Sequence, residues 1–177
     1  EDANEAQTRL KIIDRILFEL LDWTHDDVTP EERVEHADNT EFTDYSVRTV
    51  NSGLVIEAKR VGSSIFPKLP KRRMRLSALS RDHVSLWGVI LKARDYALTQ
   101  SLQFACITNG NSWIVFPASR SDSVPWLDSS AVIFDGIEHT LGSDWSEFEH
   151  LLSRDSVISA SLELALLGTE TDQVDDR

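Results

Sequence analysis

One cysteine, Cys106, is all the thiol this 177-residue chain carries. A single thiol builds no disulfide framework, and a chain of this length needs none. Set in Phe104-Ala105-Cys106-Ile107, it reads as a small buried hydrophobe on a strand in a reducing, cytoplasmic setting. Long apolar runs are absent too: the longest are four or five residues, far short of the roughly 18 that suggest a membrane span. No G-x-x-x-x-G-K-[ST] loop is present, which excludes an ATP-driven motor within the chain. The five histidines, His25, His36, His83, His139 and His150, show no metal-ligand spacing. Basic residues are scarce, 18 against 30 acidic, and the formal charge of −12 is the opposite of the usual nucleic-acid footprint.

What is present is an ordinary globular balance, 41% hydrophobic and 27% charged, with no repeat and no low-complexity tract. The chain starts at Glu1 without a leader and ends in an acidic stretch over 169–177. It is therefore expected to be one domain, 1–168, with a tail or linker to a further motor or effector domain; oligomer formation stays open.

Ile12, Ile13, Ile16, Leu17, Leu20 and Leu21 recur at helical spacing and predict a first helix over 4–23. A polar stretch over 24–41 follows, then strands over 42–50 and 54–59 about the turn signal Asn51-Ser52-Gly53. Two prolines and a basic cluster predict a loop over 62–81. A helix over 83–98 precedes strands over 102–108 and 112–116, which flank Asn109-Gly110-Asn111. A short strand over 131–134 comes next. Ser143 with Glu147 resembles the capped start of a helix carrying Trp145 and Phe148, and 157–167 reads as a last helix. The alternation predicts an α/β fold, a mixed β-sheet flanked by helices. Trp87, Trp113, Trp145 and Phe148 read as core; Trp126, in a Ser/Pro loop, is the candidate exposed contact.

Charge is distributed unevenly. From Ala58 to Arg81 there are eight basic residues and no acidic one, while the segments on either side each carry a balance of −10. This island begins inside the most informative segment, 42–59. There Glu57 and Lys59, two residues apart on a strand, share a face. Folding the hairpin about Asn51 sets Asp44 across from them. Two carboxylates without a partner repel, and a divalent cation resolves the repulsion; one or two hard carboxylate ligands plus waters suit Mg²⁺, with Mn²⁺ as a substitute. A neighbouring lysine then orients water and offsets charge on a phosphorane-like transition state. The same short string also reads as a turn-adjacent surface aspartate beside an exposed cross-strand ion pair.

An Asp, a turn, and an apolar strand ending in Glu-x-Lys resembles the PD-(D/E)xK nuclease superfamily, with its restriction-endonuclease-like fold. More closely, the chain is similar to the N-terminal nuclease domain of type I restriction enzyme R subunits and related antiviral defence proteins. Four segments carry the likeness: Asn4-Glu5-Ala6-Gln7-Thr8-Arg9 opening the first helix, Asp44, Leu54-Val-Ile-Glu57-Ala58-Lys59, and Thr108-Asn109-Gly110-Asn-Ser-Trp113. The resemblance implies a Mg²⁺-dependent endonuclease acting on DNA in restriction-modification. Asp44 and Glu57 become metal ligands, the Ala58 carbonyl a further one, Glu5 an auxiliary one, and Lys59 the catalytic lysine. The family's Gln-x-x-x-Tyr is met by Tyr96, but Lys92 stands where glutamine is expected, able to meet a phosphate or the attacking water. Lys68, Lys71, Arg72, Arg73 and Arg75 are the expected grip on the DNA backbone. The alternative is a non-cleaving nucleic-acid-binding or regulatory module with the same fold.

Overall fold

In the computed structural model, residues 9–35, 40–69 and 71–168 are described. The chain opens with a helix, α1 (9–20), made largely of two wide-turned segments, Arg9–Ile13 and Ile16–Leu20. Its register runs through i→i+5 bonds such as Leu21 N–H to the Ile16 carbonyl, 2.9 Å. Three strands follow as an antiparallel meander: β1 Val28–Glu35, β2 Thr40–Arg48 and β3 Gly53–Ala58. The chain then makes β4 Arg73–Arg75 and the helices α2 Leu76–Asp82 and α3 Val84–Thr99. It returns as β5 Phe104–Thr108, parallel to β3. The remaining elements are β6 Ser112–Pro117, β7 Ser130–Asp135, α4 Ile137–Thr140, α5 Trp145–Leu152, α6 Arg154–Ile158 and α7 Ser161–Leu166.

The seven strands form one mixed sheet in the order β1-β2-β3-β5-β6-β7-β4. Helices cover both faces, as the alternation of elements predicts. Tyr45, Val47, Leu54, Ile56, Trp113 and Phe134 pack with α1, α5 and α7 on one side. Val55, Ala105, Ile107, Ile114 and Ile133 pack with α2 and α3 on the other. Every residue of β3, β5 and β6 is buried, as strands covered on both faces must be. Phe148 anchors the first side, edge-on to Trp113 and Phe134 with ring centroids 5.4 and 5.0 Å apart.

Five expectations are corrected. The polar stretch over 24–41 contains β1, whose Pro30 and acidic residues break the alternation that marks a strand; as the sheet's edge it tolerates both. The loop over 62–81 holds β4 and α2. The helix over 157–167 is two helices, because Ala160 takes a left-handed φ of 67° and Ser153 caps the first of them by accepting from Ser156 N–H. Ser143 caps nothing: α5 starts after Asp144 without a side-chain cap. Trp126 is also no exposed contact, since its indole N–H donates to the Pro117 carbonyl at 2.6 Å and the Arg94 guanidinium lies 3.6 Å over its ring. Cys106 is fully buried, and burial pushes its thiol far up.

Candidate active site at the end of β3

The hairpin between β2 and β3 sets the site. Thr49 N–H and hydroxyl both donate to the Ser52 carbonyl, and Val50 and Asn51 form the tip. Gly53 is required here: a Cβ would stand 2.5 Å from the Val47 carbonyl oxygen. The register pairs Arg48 with Gly53 and Tyr45 with Ile56, so its continuation opposes Asp44 to Glu57. Alternation assigns faces. Tyr45 and Val47 lie in the core toward α1, which turns Asp44, Ser46, Val55 and Glu57 toward α3.

At that point the ladder gives way to side chains. The Asp44 carboxylate accepts the Ala58 N–H at 2.7 Å, taking the place of the next rung from β2. On the other side, Lys59 N–H donates to the Thr108 carbonyl at 2.7 Å, which ties the strand end to β5. Glu57 is 2% exposed and Asp44 9%, so neither is a surface residue and the exposed ion-pair reading is excluded. Glu57 Oε1 receives two ammonium groups, Lys59 at 2.5 Å and Lys92, from α3, at 3.2 Å. Lys92 also sits 5.2 Å over the Tyr96 ring, one helical turn away. Glu57 Oε2 is buried without a hydrogen-bond partner among the described residues.

Four of the sequence-predicted residues, Asp44, Glu57, Lys59 and Lys92, therefore share one end and one face of the sheet, with Ala58 between them. Glu5 lies outside the described residues. The basic residues 72–75 are carried elsewhere. Strands β3 and β4 are four strand spacings apart, about 19 Å. Arg72 is built into the fold: it donates to the Ile133 carbonyl at 2.6 Å, pairs with Asp144 at 2.6 Å and Glu147 at 3.3 Å, and covers the Phe134 ring. That guanidinium holds the Asp144 carboxyl below the usual aspartate range. Arg73 donates to the Ala165 carbonyl. Lys68, Lys71 and Arg75 remain exposed, without an ion pair among the described residues.

No family model, no curated protein and no solved structure matches this chain.

What the arrangement can do follows from its own groups. Two lysines and a backbone N–H meet the charge that the sequence argument hands to a cation, yet one buried carboxylate oxygen stays unmatched. A buried acceptor without a donor is costly unless something occupies it. Among the described residues no three His, Cys, Asp or Glu side chains cluster closely enough to hold a metal. The donor set is thus a carboxylate pair, which suits an ion that keeps its waters and takes up substrate oxygens. Thr108 fixes the backbone of Lys59, and Tyr96 lies under Lys92. The apolar run of β5 predicts a strand, but only its parallel pairing with β3 reveals the role of Thr108.

Proposed function

We propose that this chain is a Mg²⁺-dependent nuclease that hydrolyses DNA phosphodiester bonds, the nuclease part of a larger restriction or anti-phage defence protein. The observation that carries the reading is Glu57, buried opposite Asp44, with two lysines on one oxygen and no partner among the described residues on the other. The residues fit the ion: hard oxygens, one of them unclaimed, at the carboxyl end of a strand where a crossover to a parallel neighbour begins. Ligands of α/β sheets collect at such strand ends. Asp44 and Glu57 would hold Mg²⁺, with the Ala58 carbonyl and Glu5 as further ligands. When bound, it supplies Lewis-acid stabilisation of phosphoryl oxygens and a more acidic water. Lys59 and Lys92 present ammonium protons to the phosphoryl group, where negative charge builds during attack. Asp44, pinned to Ala58, keeps the two strand ends in register as substrate is bound.

Plasmid cleavage by the purified protein tests the reading. Nicking is expected with Mg²⁺ and absent with EDTA; Glu57→Gln and Lys59→Ala should each lower the rate by about 10²–10³-fold, the size of removing one transition-state contact. Failure of the full-length protein to cut any DNA or RNA overturns it. Salt-sensitive binding without cleavage, unchanged by Glu57→Gln, selects the non-cleaving module instead.

A further inference from the structure

None of Asp44, Glu57, Lys59 and Lys92 lines the cleft of about 510 Å³ that opens beside them. Its floor is the turn Asn109-Gly110-Asn111 and its rim is the segment after β3. Asn109, Ser112 and Asp135 have the alternation parity of Ile107, Ile114 and Ile133, so they stand on the α3 face of the sheet, as Glu57 does. Strands β3, β5 and β7 all end at this edge. Glu57 and Asp135 are three strand spacings apart, about 14 Å.

The polar groups of the cleft are held in place but not saturated. Asn109, 5% exposed, accepts the N–H groups of Asn111 at 3.0 Å and Ser112 at 2.8 Å through Oδ1. Asn111 accepts Ile137 N–H at 3.1 Å through Oδ1. Both amide nitrogens are left without a partner among the described residues. Asp135 accepts the Ser112 hydroxyl at 2.7 Å through one oxygen, and its other oxygen is likewise unengaged. Fixed donors and a fixed acceptor stand beside the half-buried ring of Phe66, with Lys68 exposed at the rim. An apolar wall, a small set of positioned polar groups and a volume in this range are the features that small-ligand sites share.

We propose that this cleft is a nucleotide pocket. One nucleotide lies with its base against Phe66, its edge read by the amides of Asn109 and Asn111 and the carboxylate of Asp135, and its phosphate on Lys68. A nucleobase edge carries the acceptors and donors that such a set reads, and an aromatic face stacks any base. The assignment extends the nuclease reading by naming a second place where substrate is held. The nucleotide comes from an unpaired position in a strand or from a free mononucleotide.

The test is titration of the nitrogen-15-labelled chain, without Mg²⁺, with each of the four deoxynucleoside 5′-monophosphates and with inorganic phosphate. At least one mononucleotide should bind ten-fold or more tightly than phosphate, with amide shifts concentrated in 61–68 and 109–112. Asn111→Asp keeps the acceptor for Ile137 N–H but removes the donor, and should weaken binding at least ten-fold with the melting temperature unchanged. Asp135→Asn retains an acceptor for Ser112 and should reorder the four nucleotides. Displacement by a single-stranded oligonucleotide assigns the pocket to the strand; binding that the oligonucleotide does not displace assigns it to the free nucleotide. No preference over phosphate, shifts centred elsewhere, or wild-type binding by both variants overturns the proposal. Because Mg²⁺ is absent and Glu57→Gln is run alongside, a failure to cleave DNA leaves this result standing on its own.

Discussion

Two ammonium groups on one buried carboxylate oxygen, with the second oxygen unmatched, is an arrangement that stability alone does not favour. Taking charges out of water costs several kcal/mol per ion, recovered only if every lone pair and proton is satisfied. Glu57 does not meet that condition, so its placement favours a ligand over a structural tie. Metal removal gives the corresponding measurement. Mg²⁺ at a hundredfold over its Kd should stabilise the fold by about 2.7 kcal/mol, a rise in Tm of roughly 5–10 °C for a domain of this size. EDTA should abolish the rise, and Glu57→Gln should remove it in a thermal melt. A second residue-scale outcome concerns acid. Arg154 donates to Asp27 at 2.7 Å and, helped by Thr24, holds its carboxyl below the ordinary 3.8. A depressed folded pKa contributes stability that is present above the unfolded value and lost as pH falls through the folded one. The Tm of the wild type should therefore drop more steeply below about pH 5 than that of Asp27→Asn. Equal slopes would show the bridge to be inert.

Turns and breaks decide the elements. Ala160 holds a left-handed conformation between α6 and α7, a place where glycine carries no Cβ penalty. Ala160→Gly should raise stability by about 1 kcal/mol in denaturant unfolding. Gly110→Ala should do the reverse by about 1–3 kcal/mol, since φ is +82° and the new Cβ would lie 3.0 Å from Ile12 Cγ2. What the chain discloses about itself divides along the same line. Turn residues and short apolar runs make β2, β3, β5 and β6 legible, because strands covered on both faces read as continuous apolar segments between turns. Strand β1 is not, since an edge position relaxes the demand on composition that makes strands recognisable. The break at Ala160 is invisible for another reason: alanine is the best helix former, and only tertiary packing overrides it.

For the whole molecule, the order of strands matters more than the order of residues. Asp44, Glu57 and Lys59 are legible as a unit because a hairpin is local. The basic island is legible only as charge; its division into arginines bonded to the fold, Arg72 and Arg73, and exposed Lys68, Lys71 and Arg75 depends on which strand joins the far edge. Arg72→Ala should lower stability by about 2–4 kcal/mol through its lost charged hydrogen bonds, a melting effect. Joint replacement of Lys68, Lys71 and Arg75 by Ala should instead leave the melt unchanged. It should reduce the slope of log binding constant against log salt on DNA by about 2–3. An unchanged slope would mean that the island holds no phosphate. Among the described residues no helix is long and apolar enough to cross a membrane.

The pairing of Tyr45 with Ile56 has a consequence for how this chain can vary in length. Side chains alternate strictly along a strand, so one residue inserted between Val50 and Asn51, if the pairing slid with it, would exchange the two faces of β2. Asp44 would then turn into the apolar layer beside α1, and Tyr45 would stand over Glu57. The tip of this hairpin is fully exposed, where loops ordinarily accept insertions, yet here a single added residue would dismantle the charged pair without touching it. The segment that leaves Lys59 for the far edge of the sheet is under no such constraint. Variation in length is expected to be excluded at Val50-Asn51, which a scanning insertion library would expose directly.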